Sequence, residues 1–99
     1  YDAWHTIEPV REHSIMPRHY DVVGPVCESG DFLGKNRLLS VETGDLLAIL
    51  SSGAYGMSMS SNYNSRLRPA EIMVDNDTCF LIRKRETFNE LIQGESLAP

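Results

Sequence analysis

Glu71-Ile72-Met73-Val74-Asp75-Asn76-Asp77-Thr78-Cys79-Phe80-Leu81-Ile82-Arg83 decides the fold class. Two apolar runs rich in β-branched and aromatic residues flank an Asx-rich break, which is the pattern of a β-hairpin. We read strands over 71–74 and 78–83, joined by a three-residue turn, Asp75-Asn76-Asp77. Downstream, Arg83-Lys84-Arg85 is a charge run that solvates one face. Thr87-Phe88-Asn89-Glu90 then spells a capping box, in which hydroxyl and carboxylate reciprocally satisfy amides at a helix start. Phe88, Leu91 and Ile92 share one face of that short C-terminal helix, Gly94 stops it, and Ser96–Pro99 fray as a tail.

Upstream the same reading continues. Leu46–Leu50 follows a Gly44-Asp45 turn and suits a buried strand. Leu38–Val41 is a second short strand. Tyr20–Val26 is β-branched, with Pro25 marking an edge or the end of pairing. His5–Val10 is a short run ending at Pro9. Short strands, frequent turns and one late helix imply an all-β barrel or sandwich with a helical appendage. Two stretches, Gly24–Gly34 and Gly53–Ser65, are too long and too rich in Gly, Ser and Asn for plain connections, and such loops on a β scaffold are where function sits.

Composition bounds the possibilities. At 99 residues the chain holds at most one domain, and 41% apolar residues suit a folded protein. Nine basic against fourteen acidic residues leave −5, which disfavours nucleic acid as a partner. No apolar run approaches a membrane span, and membrane association is not expected. Cys27 and Cys79 are too few for a disulfide scaffold, lack CxxC spacing, and fit a reduced, cytoplasmic protein. Because the chain opens on Tyr1-Asp2-Ala3-Trp4-His5, with no flexible leader, we read it as a piece of something longer.

In the first loop, Gly24-Pro25-Val26-Cys27-Glu28-Ser29-Gly30-Asp31 places a thiol beside a carboxylate. Cysteine offers a soft nucleophile or proton donor, and glutamate can hold an ammonium. The same residues also read as a small buried hydrophobe and a solvated charge. A cysteine-protease arrangement is disfavoured, because His5, His13 and His19 all lie upstream and none is placed beside Cys27. These histidines show no ligand spacing with carboxylates, so no metal is expected. In the second loop, Gly53-Ala54-Tyr55-Gly56-Met57-Ser58-Met59-Ser60-Ser61-Asn62-Tyr63-Asn64-Ser65-Arg66 sets Tyr55 among small residues. They would let a ligand approach a phenol able to donate to a phosphate or carboxylate, although an ordinary polar loop has the same look. No Gly-Lys-Ser/Thr ending makes it a P-loop. Arg66 and Arg68 are read as surface arginines rather than phosphate ligands.

These two loops resemble the carboxy-terminal part of the diaminopimelate decarboxylase family. Its members are pyridoxal-phosphate enzymes of the alanine-racemase-like fold type, related to ornithine and arginine decarboxylases. The resemblance runs from Tyr1 to about Gln93. The first motif is shared across the decarboxylases, and the Ser58-Met59-Ser60-Ser61-Asn62-Tyr63-Asn64 run, with Arg66 and Pro69 after it, belongs more to the diaminopimelate branch. It implies a Greek-key-like β-barrel over residues 1–95, with 96–99 as a tail. It also implies an absent amino-terminal β/α barrel that carries the cofactor on a lysine. Neither Lys35 nor Lys84 sits in such a motif, so this chain alone is expected to be inactive.

The resemblance further implies a homodimer with sites completed across the interface, and each role passes to one residue here. Cys27 would reach the partner subunit's site and deliver a proton near the reacting carbon. Glu28 would hold the distal amino-acid end of the substrate. Tyr55 would contact the cofactor phosphate or the substrate. Tyr1 would close an Arg-Pro-Xaa-Xaa-Tyr segment that binds the distal carboxylate. Asp31 would shape its turn. The implied reaction is decarboxylation of meso-diaminopimelate to L-lysine and carbon dioxide. Two other readings are a relative acting on ornithine, arginine or carboxynorspermidine, and a non-catalytic dimerisation module.

Overall fold

Every strand has its partner in an antiparallel pair. The computed structural model describes residues 3–99, and in it the chain forms two compact units, the first ending at Ala54 and the second comprising Tyr55–Pro99.

The first unit holds two ribbons. Strand β1 (Ile7–Pro9) pairs with β4 (Leu47–Ile49), with Ile7 opposite Ile49. Val10 N–H to Leu46 O and Leu50 N–H to Thr6 O extend the pairing at both ends. Pro9 has no N–H to give and sits at a strand end with one neighbour, where it does least harm. Strand β2 (Arg18–Val23) pairs with β3 (Phe32–Leu39). Between the pairs Tyr20/Arg37 and Val22/Gly34, β2 supplies Asp21 alone while β3 supplies Lys35 and Asn36. Asn36 absorbs this bulge at φ 51°, and its N–H donates to Asp21 Oδ1 at 2.8 Å.

The core of this unit is small. Ile7 and Leu39 are the buried apolar side chains among the described residues. Ile7 lies over Gly34, where an added Cβ would stand 2.7 Å from Ile7 Cδ1, so the glycine permits β1 to approach β3. Arg37 ties the N-terminal segment down. Its Nη1 donates to His5 O at 2.6 Å and its guanidinium stacks 4.1 Å from the Trp4 ring, while its Nε is buried without a partner.

Helical turn α1 (Gly53–Gly56) leads into the second unit, where a 3-10 turn (Tyr63–Ser65) follows. Strands β5 (Glu71–Asp75) and β6 (Thr78–Arg83) then form the expected hairpin. Its turn has two residues, not three: Asp75 pairs with Thr78, and Asn76 takes φ 53°, the sign that tight hairpin turns require at their first central position. Ile72, Met73, Val74, Phe80, Leu81 and Ile82 are 48–66% exposed, so neither face of the ribbon is covered. Helix α2 (Phe88–Ile92) starts on the predicted capping box. The Thr87 side chain accepts from Glu90 N–H, and the Glu90 carboxylate accepts from Thr87 N–H.

The architecture is mostly strand, as expected, but three further expectations change. The six strands form three two-stranded sheets, and the described residues do not close a barrel. The 24–34 loop is shorter than read, because Phe32–Leu39 is the longest strand. Leu46–Leu50 is not a buried strand: β4 covers three half-buried residues, and Leu46 is 72% exposed.

Candidate functional site

The loop between β2 and β3 is built by its own atoms. Gly24 N–H donates to Asp31 O at 2.9 Å, adding one rung beyond the Val23/Phe32 pair. Asp31 Oδ2 accepts from Val26 N–H at 2.9 Å, and Asp31 N–H donates to Glu28 O at 3.0 Å. Asp31 therefore shapes the turn, as its place in the motif implied. Gly24 is required here because a Cβ would run into the Asp31 carboxylate. On this frame Cys27 and Glu28 are both exposed. The Cys27 thiol is free, so the reading of Cys27 as a buried hydrophobe does not hold. Glu28 turns back on its loop, Oε2 accepting from Gly30 N–H and Oε1 from Ser29 Oγ at 3.4 Å. A carboxylate has about four lone-pair sites, so two remain for an incoming donor.

Tyr55 stands on α1 and is 71% exposed. Added Cβ atoms at Gly53 and Gly56 would meet nothing within 4 Å, so its glycine neighbours face open space. Tyr55 O accepts from Met59 N–H at 2.9 Å and Ser58 Oγ at 3.3 Å. Ser60 N–H and Oγ both donate to Met57 O, at 3.0 and 2.6 Å. The stretch after Tyr55 is thus a hydrogen-bonded turn, not a slack loop.

That turn is anchored by residues the sequence reading passed over. Arg68, read as a surface arginine, is half-buried and points its guanidinium inward. Nε donates to Ser60 Oγ at 3.2 Å, Nη1 to Asn62 Oδ1 at 2.9 Å and Nη2 to Ser60 O at 3.3 Å. Glu86 holds this arginine from behind. Its Oε1 accepts from Arg68 N–H at 3.0 Å and Asn62 Nδ2 at 2.6 Å, and its Oε2 lies 3.9 Å from Arg68 Nη1. The available signal was Asn62 inside the motif run and Arg68 just beyond it; the distant Glu86 had none.

Of the predicted site residues, Cys27 and Glu28 share one loop of the first unit, Tyr55 opens the second unit, and Tyr1 lies outside the described residues. The histidine reading needs one correction. His13, Glu42 and Asp45 do come together, with one ligand atom of each within 4.8 Å of the others. Asp45 Oδ2 is already engaged, pairing with His13 Nε2 at 3.0 Å and accepting from Glu42 N–H at 2.9 Å. The group is a turn held by contacts to the Asp45 carboxylate.

A sheet domain with these two loops defines a class. The chain belongs to the pyridoxal-dependent decarboxylases, whose C-terminal sheet domain matches residues 1–53. Within that class it is similar to the diaminopimelate decarboxylase of Pseudomonas fluorescens, 57% identical over all 99 residues, and to that of Pseudomonas aeruginosa, 54% identical over the same span. It spans about a quarter of the length of these relatives. Its fold matches the crystal structure of diaminopimelate decarboxylase from M. jannaschii in complex with L-lysine, with a TM-score of 0.91 and 41% identity, covering all of this chain and 23% of that one. No helix among the described residues is long and apolar enough to cross a membrane.

Proposed function

We propose that the chain is the C-terminal part of a diaminopimelate decarboxylase, a lyase of lysine biosynthesis that converts meso-diaminopimelate to L-lysine and carbon dioxide. The carrying observation is 57% identity to such an enzyme across every residue of the chain. The two motif loops support it, since each is a built structure that leaves Cys27 and Glu28, or Tyr55, exposed. In this reading residues 1–95 form one domain, 96–99 a tail, and the Greek-key-like barrel closes when other segments of the longer enzyme join the open ribbons. Its partners are the β/α barrel of the same chain and a second subunit, with which it completes the active site. Exposed, unpaired Cys27 and Cys79 support a reducing, cytoplasmic compartment.

The residues fit the cofactor of the class in one respect: the Tyr55 phenol is exposed and has no protein partner among the described residues, so it is free to donate to a phosphate. Pyridoxal phosphate, when bound, supplies the electron sink for the carbon losing its carboxylate. The chain's own side chains do the rest. Cys27 Sγ, accessible on its hairpin loop, gives a proton to the substrate carbon. Glu28 uses its remaining lone pairs for the distal ammonium, a charge-assisted contact that disfavours substrates lacking that group. Tyr1 contributes at the distal carboxylate.

The test joins this chain to its β/α barrel and measures lysine release from meso-diaminopimelate against ornithine and arginine. Lysine from diaminopimelate alone is expected. Turnover no greater than with the controls would overturn the reading.

A further inference from the structure

The Arg68 cluster lies outside every role assigned above, yet it is the most densely hydrogen-bonded group of side chains in the second unit. Its members converge on one point. Arg68 grips Ser60 twice, through Oγ at 3.2 Å and through the backbone carbonyl at 3.3 Å. Ser60 in turn closes the turn that starts at Tyr55, through its two bonds to Met57 O. Asn62 accepts from the guanidinium at Nη1, and Glu86 holds both Asn62 Nδ2 and the Arg68 backbone N–H. A planar five-donor fork can satisfy such a set of acceptors at once, and an ammonium cannot.

We infer that Arg68 is a positioning residue, which together with Glu86 holds Ser60 and thereby sets the turn that presents the Tyr55 phenol. The assignment rests on the proposed contact of Tyr55 with cofactor or substrate. It does not make Arg68 a ligand: three of its five N–H donors, on Nε, Nη1 and Nη2, already bond to acceptors of its own chain. An anchored turn has a consequence for binding: the ordering of residues 55–60 is done before any ligand arrives.

The experiment uses the full-length enzyme with Tyr55→Phe, Arg68→Met and the double variant, reading both diaminopimelate turnover and amide exchange. Arg68→Met should lower kcat/KM about tenfold, as loss of a charge-assisted contact does. In the Tyr55→Phe background the same change should cost much less than tenfold, because residues acting through one another are not additive. Exchange at the Met59 and Ser60 amides should quicken about tenfold in Arg68→Met without cofactor, while β2–β3 amides keep their rates. Arg68→Lys should fail to restore either readout. If Arg68→Met does not fold, Glu86→Gln keeps the shape, weakens the grip and should show the same coupling. Independent, multiplicative losses, or unchanged exchange at Met59 and Ser60, would overturn the inference while leaving the Tyr55 reading intact. Parent-like turnover by Tyr55→Phe would overturn both.

Discussion

The two motif loops solve the same problem by opposite means. The 24–31 loop is self-contained: Asp31 and Gly24 close it within eight residues, and nothing outside the hairpin is needed. The 55–66 loop borrows its anchor, since Arg68 takes its support from Glu86, 18 residues further on, beyond the β5–β6 ribbon. A local loop places side chains with few dependencies, whereas a borrowed anchor makes placement answer to another part of the fold.

This contrast can be tested from its strongest consequence downward. Since Cys27 is exposed on a frame it does not help to build, Cys27→Ala in the full-length enzyme should lower kcat by about a hundredfold or more, with KM and thermal midpoint nearly unchanged. A midpoint shift of similar size to that of a frame residue would break the comparison. Glu28→Gln should raise KM about tenfold through the lost charge on its contact. Steady-state kinetics on diaminopimelate separates these two. A pair of glycine variants probes the frames themselves. Gly24→Ala must displace the Asp31 carboxylate and should destabilise by about 1–2 kcal/mol, whereas Gly53→Ala meets open space and should stay within about 0.5 kcal/mol. Thermal unfolding of both reads the difference.

The smallest effect lies at α2. Lys84 Nζ at 2.7 Å, and then the Thr87 hydroxyl, hold the Glu90 carboxyl below its usual value. A carboxyl lowered in the folded state stabilises above its unfolded pKa and loses that contribution as pH falls through the folded one. The protection factor of the Leu91 amide, which donates to Thr87 O, should therefore fall on acidification through the carboxylate range, once exchange is corrected for its intrinsic pH dependence, and Glu90→Gln should flatten that response.

What could be read from sequence follows the range of each signal. The 71–83 hairpin and the Thr87–Glu90 box were legible because their causes lie within a few residues. Even there the turn contracted, because Asp75 could join the ladder once Asn76 took the left-handed conformation. Strand β3 was obscured by Gly34, Lys35, Asn36 and Arg37, whose polar, turn-like character serves a bulge and a close approach by Ile7. Pairings such as His13 with Asp45, or Arg68 with Glu86, follow from chain folding over distances that no local pattern encodes. Cys27, Glu28 and Tyr55 stand out by their place in the two loops, but their residue types alone leave bland readings open, and only the resemblance implies a role for each.

The uncovered β5–β6 ribbon carries a consequence for handling the protein. Both its faces are apolar, and each of its strands has one edge unpaired among the described residues. Such a ribbon is a template for further strands, including those of identical chains. Asp75 and Asp77 at one end and Arg83, Lys84 and Arg85 at the other act as gatekeepers, because side-by-side pairing of two ribbons that point the same way would bring like charges together. High ionic strength screens that repulsion. Concentrated salt should therefore favour assemblies of the 99-residue chain in which the ribbons point the same way.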